Sequence, residues 1–121
     1  MSNFLLEAGR QTLMLELQEA SRLPERLGDD FIRAAETIIH CEGKLVVSGI
    51  GKSGHIGKKL AATFASTGTP AFFVHPAEAS HGDMGMITRE DVILALSNSG
   101  STAEIVTLLP LIKRLGIKLI S

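Results

Sequence analysis

The sequence contains no tryptophan and no tyrosine, and five phenylalanines are its whole complement of aromatic side chains. A nucleic-acid surface needs stacking rings and clustered cations. The 12 Lys and Arg are balanced by 13 Asp and Glu, giving a formal charge of −1, and they form no basic tract. No nucleic-acid partner is therefore expected. One cysteine, Cys41, cannot form an internal disulfide, which suits a reducing compartment, so a cytoplasmic location is expected. Its place just after a helix, before Glu42-Gly43, reads as packing rather than nucleophilic chemistry. No run approaches roughly 18 unbroken apolar residues, the length a membrane-spanning helix requires, so no membrane partner is expected. The opening "MSNFLLEAGRQ" lacks the basic start and long apolar run of a signal peptide.

What is present is enough for one domain with one core: 121 residues, 45% of them hydrophobic. Residues 3–23 show a helical period, with Leu6, Leu13, Leu17 and Ala20 recurring between Glu7, Arg10, Glu16 and Glu19. A second helix is predicted from "GDDF", capped by Asp29 or Asp30, with Phe31, Ala34, Ala35, Ile38 and Ile39 on one face. The period then changes. "KLVVSG", "PAFFV", "DVILALS" and "IKLIS" read as buried strands. Between them, "KSGHIGKKLAATFASTG" reads as a helix with Ile56, Leu60 and Phe64 four apart, stopped by Gly68. "STAEIVTLLPLIKRLG" reads as another, kinked or restarted at Pro110, and "HPAEASHGDMGMI" as loop with about one helical turn.

Two leading helices (residues 1–42) thus precede β-α-β-loop-β-α-β (residues 43–121). That alternation predicts an α/β fold: a three-layer, doubly wound parallel sheet of Rossmann-like type, within a single domain. Such sheets bind ligands beyond the carboxyl ends of their strands. Here those ends are "SGIGKSG", "VHPAEASHGD" and "LSNSGST".

The first of them allows two anion motifs. A P-loop ending at Gly51-Lys52-Ser53 needs its first glycine at position 46, where Val46 stands inside the strand, so that reading fails. Gly49, Gly51 and Gly54 fit the dinucleotide fingerprint G-x-G-x-x-G, but the acid that should hold the ribose about 20 residues on is absent. The second strand ends at Val74-His75, and Glu78 lies beyond Pro76. A nicotinamide cofactor is therefore disfavoured. The glycines explain a tight turn. They do not explain a lysine at its mouth, which can face an anion with help from the helix amino terminus. Gly51, Lys52 and Ser53 are candidate anion contacts. "SNSGST" supplies a second site: Ser97, Asn98, Ser99, Gly100, Ser101 and Thr102, directly before a helix. One hydroxyl suffices for the capping box Ser101-x-x-Glu104, and four hydroxyls suit a phosphate monoester.

"VVSGIGKSGHIGKK", "AATFASTGTPAFFVHPAEASHGDMGMI" and "LSNSGSTAEI" together resemble the SIS (sugar isomerase) domain, and more narrowly the bacterial arabinose 5-phosphate isomerases, including the glucitol-associated group. The likeness runs over the whole chain. It implies interconversion of D-arabinose 5-phosphate and D-ribulose 5-phosphate, on the route to the lipopolysaccharide sugar Kdo. It implies that Lys52 and Glu104 are catalytic, that Gly68, Thr69 and His81 contact substrate, and that the Ser97–Thr102 loop holds the phosphate. No cofactor is implied. Zinc at His75 is implied as an inhibitor. The assembly implied is a homotetramer. The family continues past this point with a fifth strand, a second catalytic glutamate and a catalytic histidine, so the expectation is a sheet shortened after its fourth strand and reduced turnover.

The residues suit that chemistry. Aldose–ketose isomerisation moves a proton between C1 and C2 through an enediolate, and needs a carboxylate base and a donor or cation for the oxyanion. Glu104 can be the base. Lys52 can be the stabiliser. A non-catalytic sugar-phosphate sensor needs the hydroxyl loop but no base, and remains the alternative. His75 and His81 alone make no metal site without a third ligand.

Overall fold

The structure is a computed structural model and describes residues 1–100 and 103–121. The element order is α1 (Ser2–Ala20), α2 (Leu23–Arg26), α3 (Asp29–Ile39), β1 (Leu45–Gly49), α4 (Lys52–Ser66), β2 (Ala71–Phe73), α5 (Pro76–Ser80), a 3-10 turn (Asp83–Met86), β3 (Val92–Leu96), α6 (Ala103–Leu115) and β4 (Lys118–Ile120).

The chain divides into two compact units, Met1–Ala35 and Glu36–Ser121. In the first, the helix predicted for residues 3–23 stops at Ala20, and a separate turn, α2, begins with Pro24 in its first turn. Proline has no N–H to donate back along a helix, so the chain restarts there instead of continuing. Asp29 and Asp30 both fall in the first turn of α3, where carboxylates favour the helix dipole.

In the second unit all strand pairs are parallel and the order is β2-β1-β3-β4. Alternation splits the strand residues between two faces. Leu45, Val47 and Val92 meet Ala61 of α4, with Ile38, Cys41, Phe64, Phe73 and Leu94 packed around them. On the other face Val46, Val74 and Ile93 meet Ala79, Met84, Ile87, Leu108 and Ile112. The result is the three-layer, doubly wound α/β sheet expected. Cys41 serves packing, its Sγ 3.5 Å from the Glu90 carbonyl.

The buried face of α4 differs from expectation. Ile56 is 57% exposed, and the buried residues are Gly54, Gly57 and Ala61. The helix lies too close to the sheet for larger side chains. A Cβ at Gly57 would stand 3.1 Å from both Val47 Cγ1 and a Phe73 ring carbon, and one at Gly54 would stand 2.7 Å from the Gly49 carbonyl oxygen. Likewise Ile39, predicted on the core face of α3, is 75% exposed, while Ile38 packs on the sheet.

Candidate functional site

The winding reverses at β1. The chain leaves it for β2 on one side, then returns to β3 on the other. Gly49 and Leu96, the last residues of β1 and β3, are register partners. The segments that follow them, Ile50–Gly51 and Ser97–Gly100, therefore leave the sheet from neighbouring strands at its topological switch point, where doubly wound sheets bind ligands. Of the 97–102 loop, Ser101 and Thr102 lie outside the described residues.

Gly49 is the hinge of this corner. A Cβ there would come within 3.0–3.1 Å of Ser53 and of the Leu96 carbonyl oxygen, so only glycine lets β1, α4 and β3 converge. Gly51 caps α4 with φ +61° and contributes no side-chain cap. The first-turn amides of a helix have no partner within it, and a glycine cap offers no side chain to take them. Lys52 begins α4 and is exposed, with Ser53 half-buried beside it. α4 holds Lys52, Lys58 and Lys59 and no acid, so the cation at the mouth continues into a positive helix. At the end of β3 Ser97 is half-buried, Asn98 and Ser99 are exposed, and Ser97 Oγ accepts the Gly100 N–H at 2.9 Å. Gly100 has φ +71°, a conformation costly for other residues. A cavity of about 370 Å³ lies against this loop, with Ser97–Gly100 on its polar side and Ile105, Leu109 and Leu119 on its apolar side. Glu104 is exposed on the first turn of α6, at the same end of the sheet.

The β2 end is held against β1 by a buried bond that the sequence did not announce. Ser48 Oγ donates to the Val74 carbonyl at 2.7 Å, and the Val74 N–H donates to the Val47 carbonyl at 2.9 Å. This fixes His75 beside the end of β1. His75 caps α5, its Nδ1 accepting the Ala77 N–H at 3.1 Å. Among the described residues, no three His, Cys, Asp or Glu side chains gather to hold a metal. His81 ends α5 and is exposed.

Gly68 and Thr69 are not brought to this crevice. They precede β2, at the amino end of the parallel strands, about 13 Å along β1 from its carboxyl end at a rise of about 3.3 Å per residue. Their structural role there is plain: Gly68 has φ +105° and the Thr69 N–H donates to the Phe64 carbonyl at 2.9 Å, closing α4.

The same amino end holds the polar residue that sequence reasoning missed. Asp91 is buried, and its carboxylate accepts from Lys44 N at 2.7 Å, Thr88 N at 2.8 Å and Thr88 Oγ1 at 3.4 Å. The spacing Thr88-x-x-Asp91 just before a strand was the available signal.

Comparison with known proteins agrees with this geometry. Residues 38–121 match the SIS domain family. Arabinose 5-phosphate isomerase GutQ of Escherichia coli K12 is 70% identical over all 121 residues, which cover 38% of that protein. Arabinose 5-phosphate isomerase KdsD of Pseudomonas aeruginosa is 67% identical over 116 residues, 96% of this chain and 36% of that protein. The chain thus spans little more than a third of the length of these relatives. An E. coli CFT073 protein solved in complex with arabinose 5-phosphate superposes with a TM-score of 0.94 at 45% identity, over the whole of this chain and 64% of that one. With a parallel sheet, a switch-point crevice and most of its length matched, the chain belongs to the SIS domain family.

Proposed function

We propose that this chain is the sugar-phosphate-binding part of an isomerase that interconverts D-arabinose 5-phosphate and D-ribulose 5-phosphate, supplying the route to Kdo. One observation carries the reading: the Gly49–Leu96 register sets a lysine-bearing turn beside a serine-rich loop at the switch point. A phosphate monoester suits hydroxyls and first-turn amides together. With the phosphate held by Ser97–Thr102, Gly51 and Ser53, Glu104 takes a proton from C2 of the open-chain aldose and returns it to C1, while the O2 hydroxyl proton passes to O1 and C2 becomes the carbonyl. Lys52 offsets the charge of the enediolate oxygen. The proton transfer is internal and needs no redox cofactor. His81 is assigned a substrate contact.

Gly68 and Thr69 are also assigned to substrate, from a position at the opposite end of the sheet from the serine loop. A homotetramer or other homo-oligomer is proposed, since α1 carries an exposed Leu6, Leu13 and Leu17 stripe and apolar helix faces of that extent mark interfaces. The cytoplasm is the proposed location.

The test is direct. Calorimetry with D-arabinose 5-phosphate measures binding, and a ribulose 5-phosphate assay measures turnover. Binding with turnover supports the isomerase. Binding without turnover favours the sensor, which needs the hydroxyl loop but no base. No binding by the folded chain removes the crevice from the argument.

A further inference from the structure

His75 has a ring that is already occupied. Its Nδ1 accepts the Ala77 N–H at 3.1 Å. A neutral imidazole has one donor nitrogen and one acceptor nitrogen, so a ring accepting at Nδ1 carries its proton on Nε2. A metal ion needs a ring lone pair. Taken at Nδ1, it displaces the Ala77 N–H. Taken at Nε2, it sends the proton to Nδ1, where it faces another N–H, and the capping bond is lost as well.

The backbone cannot easily swing to keep both. Val74, the preceding residue, is buried and held on both sides, by Ser48 Oγ on its carbonyl and by Val47 on its N–H. Pro76, the following residue, is fully buried and fixes φ at the start of α5. Ala79, one turn on, sits in the core with Leu108 and Ile112 of α6. Nor do the described residues help a metal win, since they gather no trio of ligands.

We infer that His75 is the capping residue of α5 in its Nε2–H tautomer, and that a metal ion and the amino end of α5 compete for one imidazole. In the metal-free chain the ring holds the β2–α5 corner in place and keeps its proton on Nε2. Metal capture at His75 frays α5.

Long-range ¹H–¹⁵N spectra of the metal-free chain, at mildly alkaline pH where imidazole is neutral, read the tautomer directly. The expected result is a protonated Nε2 and an acceptor Nδ1, and a protonated Nδ1 overturns the inference. Amide exchange at Ala77 reads the cap. His75→Asn, which keeps a capping oxygen, is expected to hold the wild-type exchange rate, and His75→Ala to exchange about fivefold faster or more. Equal rates in H75A and wild type overturn the capping role. Zinc is then titrated into wild type, with H75A marking binding elsewhere. Absence of binding at His75, or binding with accelerated Ala77 exchange, agrees with competition. Zinc bound at His75 with the Ala77 amide still protected overturns it.

Discussion

The two ends of one sheet treat several of their polar residues in opposite ways. At the amino end they are consumed by the fold. Asp91 is buried and satisfied by two backbone N–H groups and a hydroxyl, and Gly43 passes so close that a Cβ there would overlap the Asp91 carboxylate. Thr69 and Gly68 close a helix. At the carboxyl end Lys52, Asn98, Ser99 and Glu104 are turned to solvent on loops and first helical turns. A carboxylate buried among donors stabilises the chain it belongs to. A carboxylate exposed at the same sheet end as a lysine and a run of hydroxyls stabilises little, and is available to a ligand. Composition does not separate these cases. Placement in the sheet does.

The sharpest way to test the contrast is to remove one carboxylate from each end. Glu104→Gln is expected to lower the isomerase rate by about 10²–10⁴-fold, the usual worth of a general base, with affinity for arabinose 5-phosphate and melting temperature little changed. Kinetics and calorimetry on the same sample check this, and an unchanged rate would return Glu104 to the role of a helix-start residue. Asp91→Ala should do the reverse. It leaves the Lys44 and Thr88 amides without their partner, so a loss on the order of 3 kcal/mol is expected in urea unfolding, with affinity unchanged where the chain stays folded. A stability within about 0.5 kcal/mol of wild type, the usual range for surface changes, would contradict the clamp.

Ser99→Ala probes the binding loop alone. A hydrogen bond to a charged group is worth about 1.5–3 kcal/mol, so affinity should fall roughly tenfold or more. Unchanged affinity in calorimetry would take Ser99 out of the site. The smallest effect expected is electrostatic. α4 carries three lysines and no acid. Lys59→Gln should weaken sugar-phosphate binding about twofold at low salt and not measurably at about 1 M, where the Debye length falls to about 3 Å. A salt-independent difference would point to a direct contact instead.

Much of this was legible along the chain. The period change after residue 42, the four strands and the glycine turn at 49–51 all follow from local pattern, because burial on both sheet faces selects unbroken apolar runs and a tight turn selects glycine. The hydroxyl loop at 97–102 was singled out because four hydroxyls exceed what one helix cap can use, and Ser101 and Thr102 of it lie outside the described residues. Two helix-face readings failed on packing, at Ile39 and at Ile56. Of the Ile56, Leu60, Phe64 period, Phe64 packs on the sheet but Ile56 is exposed, because periodicity counts apolar residues and cannot see that α4 approaches the sheet closely enough to bury Gly54, Gly57 and Ala61. Asp91 and Ser48 drew no reading from the sequence: Ser48 bonds 26 residues away and Asp91 bonds Lys44 47 residues away, so only its local Thr88 bond left a trace.

The sequence by itself therefore determined the elements, their order along the chain and the chemistry of each strand end, since these depend on neighbours within a few residues. Tertiary structure alone decided the strand order β2-β1-β3-β4, and with it that the turn before Lys52 and the loop that begins at Ser97 leave neighbouring strands at one sheet end while Gly68 and Thr69 lie at the other end. It also decided that the His75 ring is spent on capping α5. Strand order arises from long-range pairing and from which helix covers which face. Those contacts are selected by the packing of the whole sheet and leave no periodic trace in any one segment.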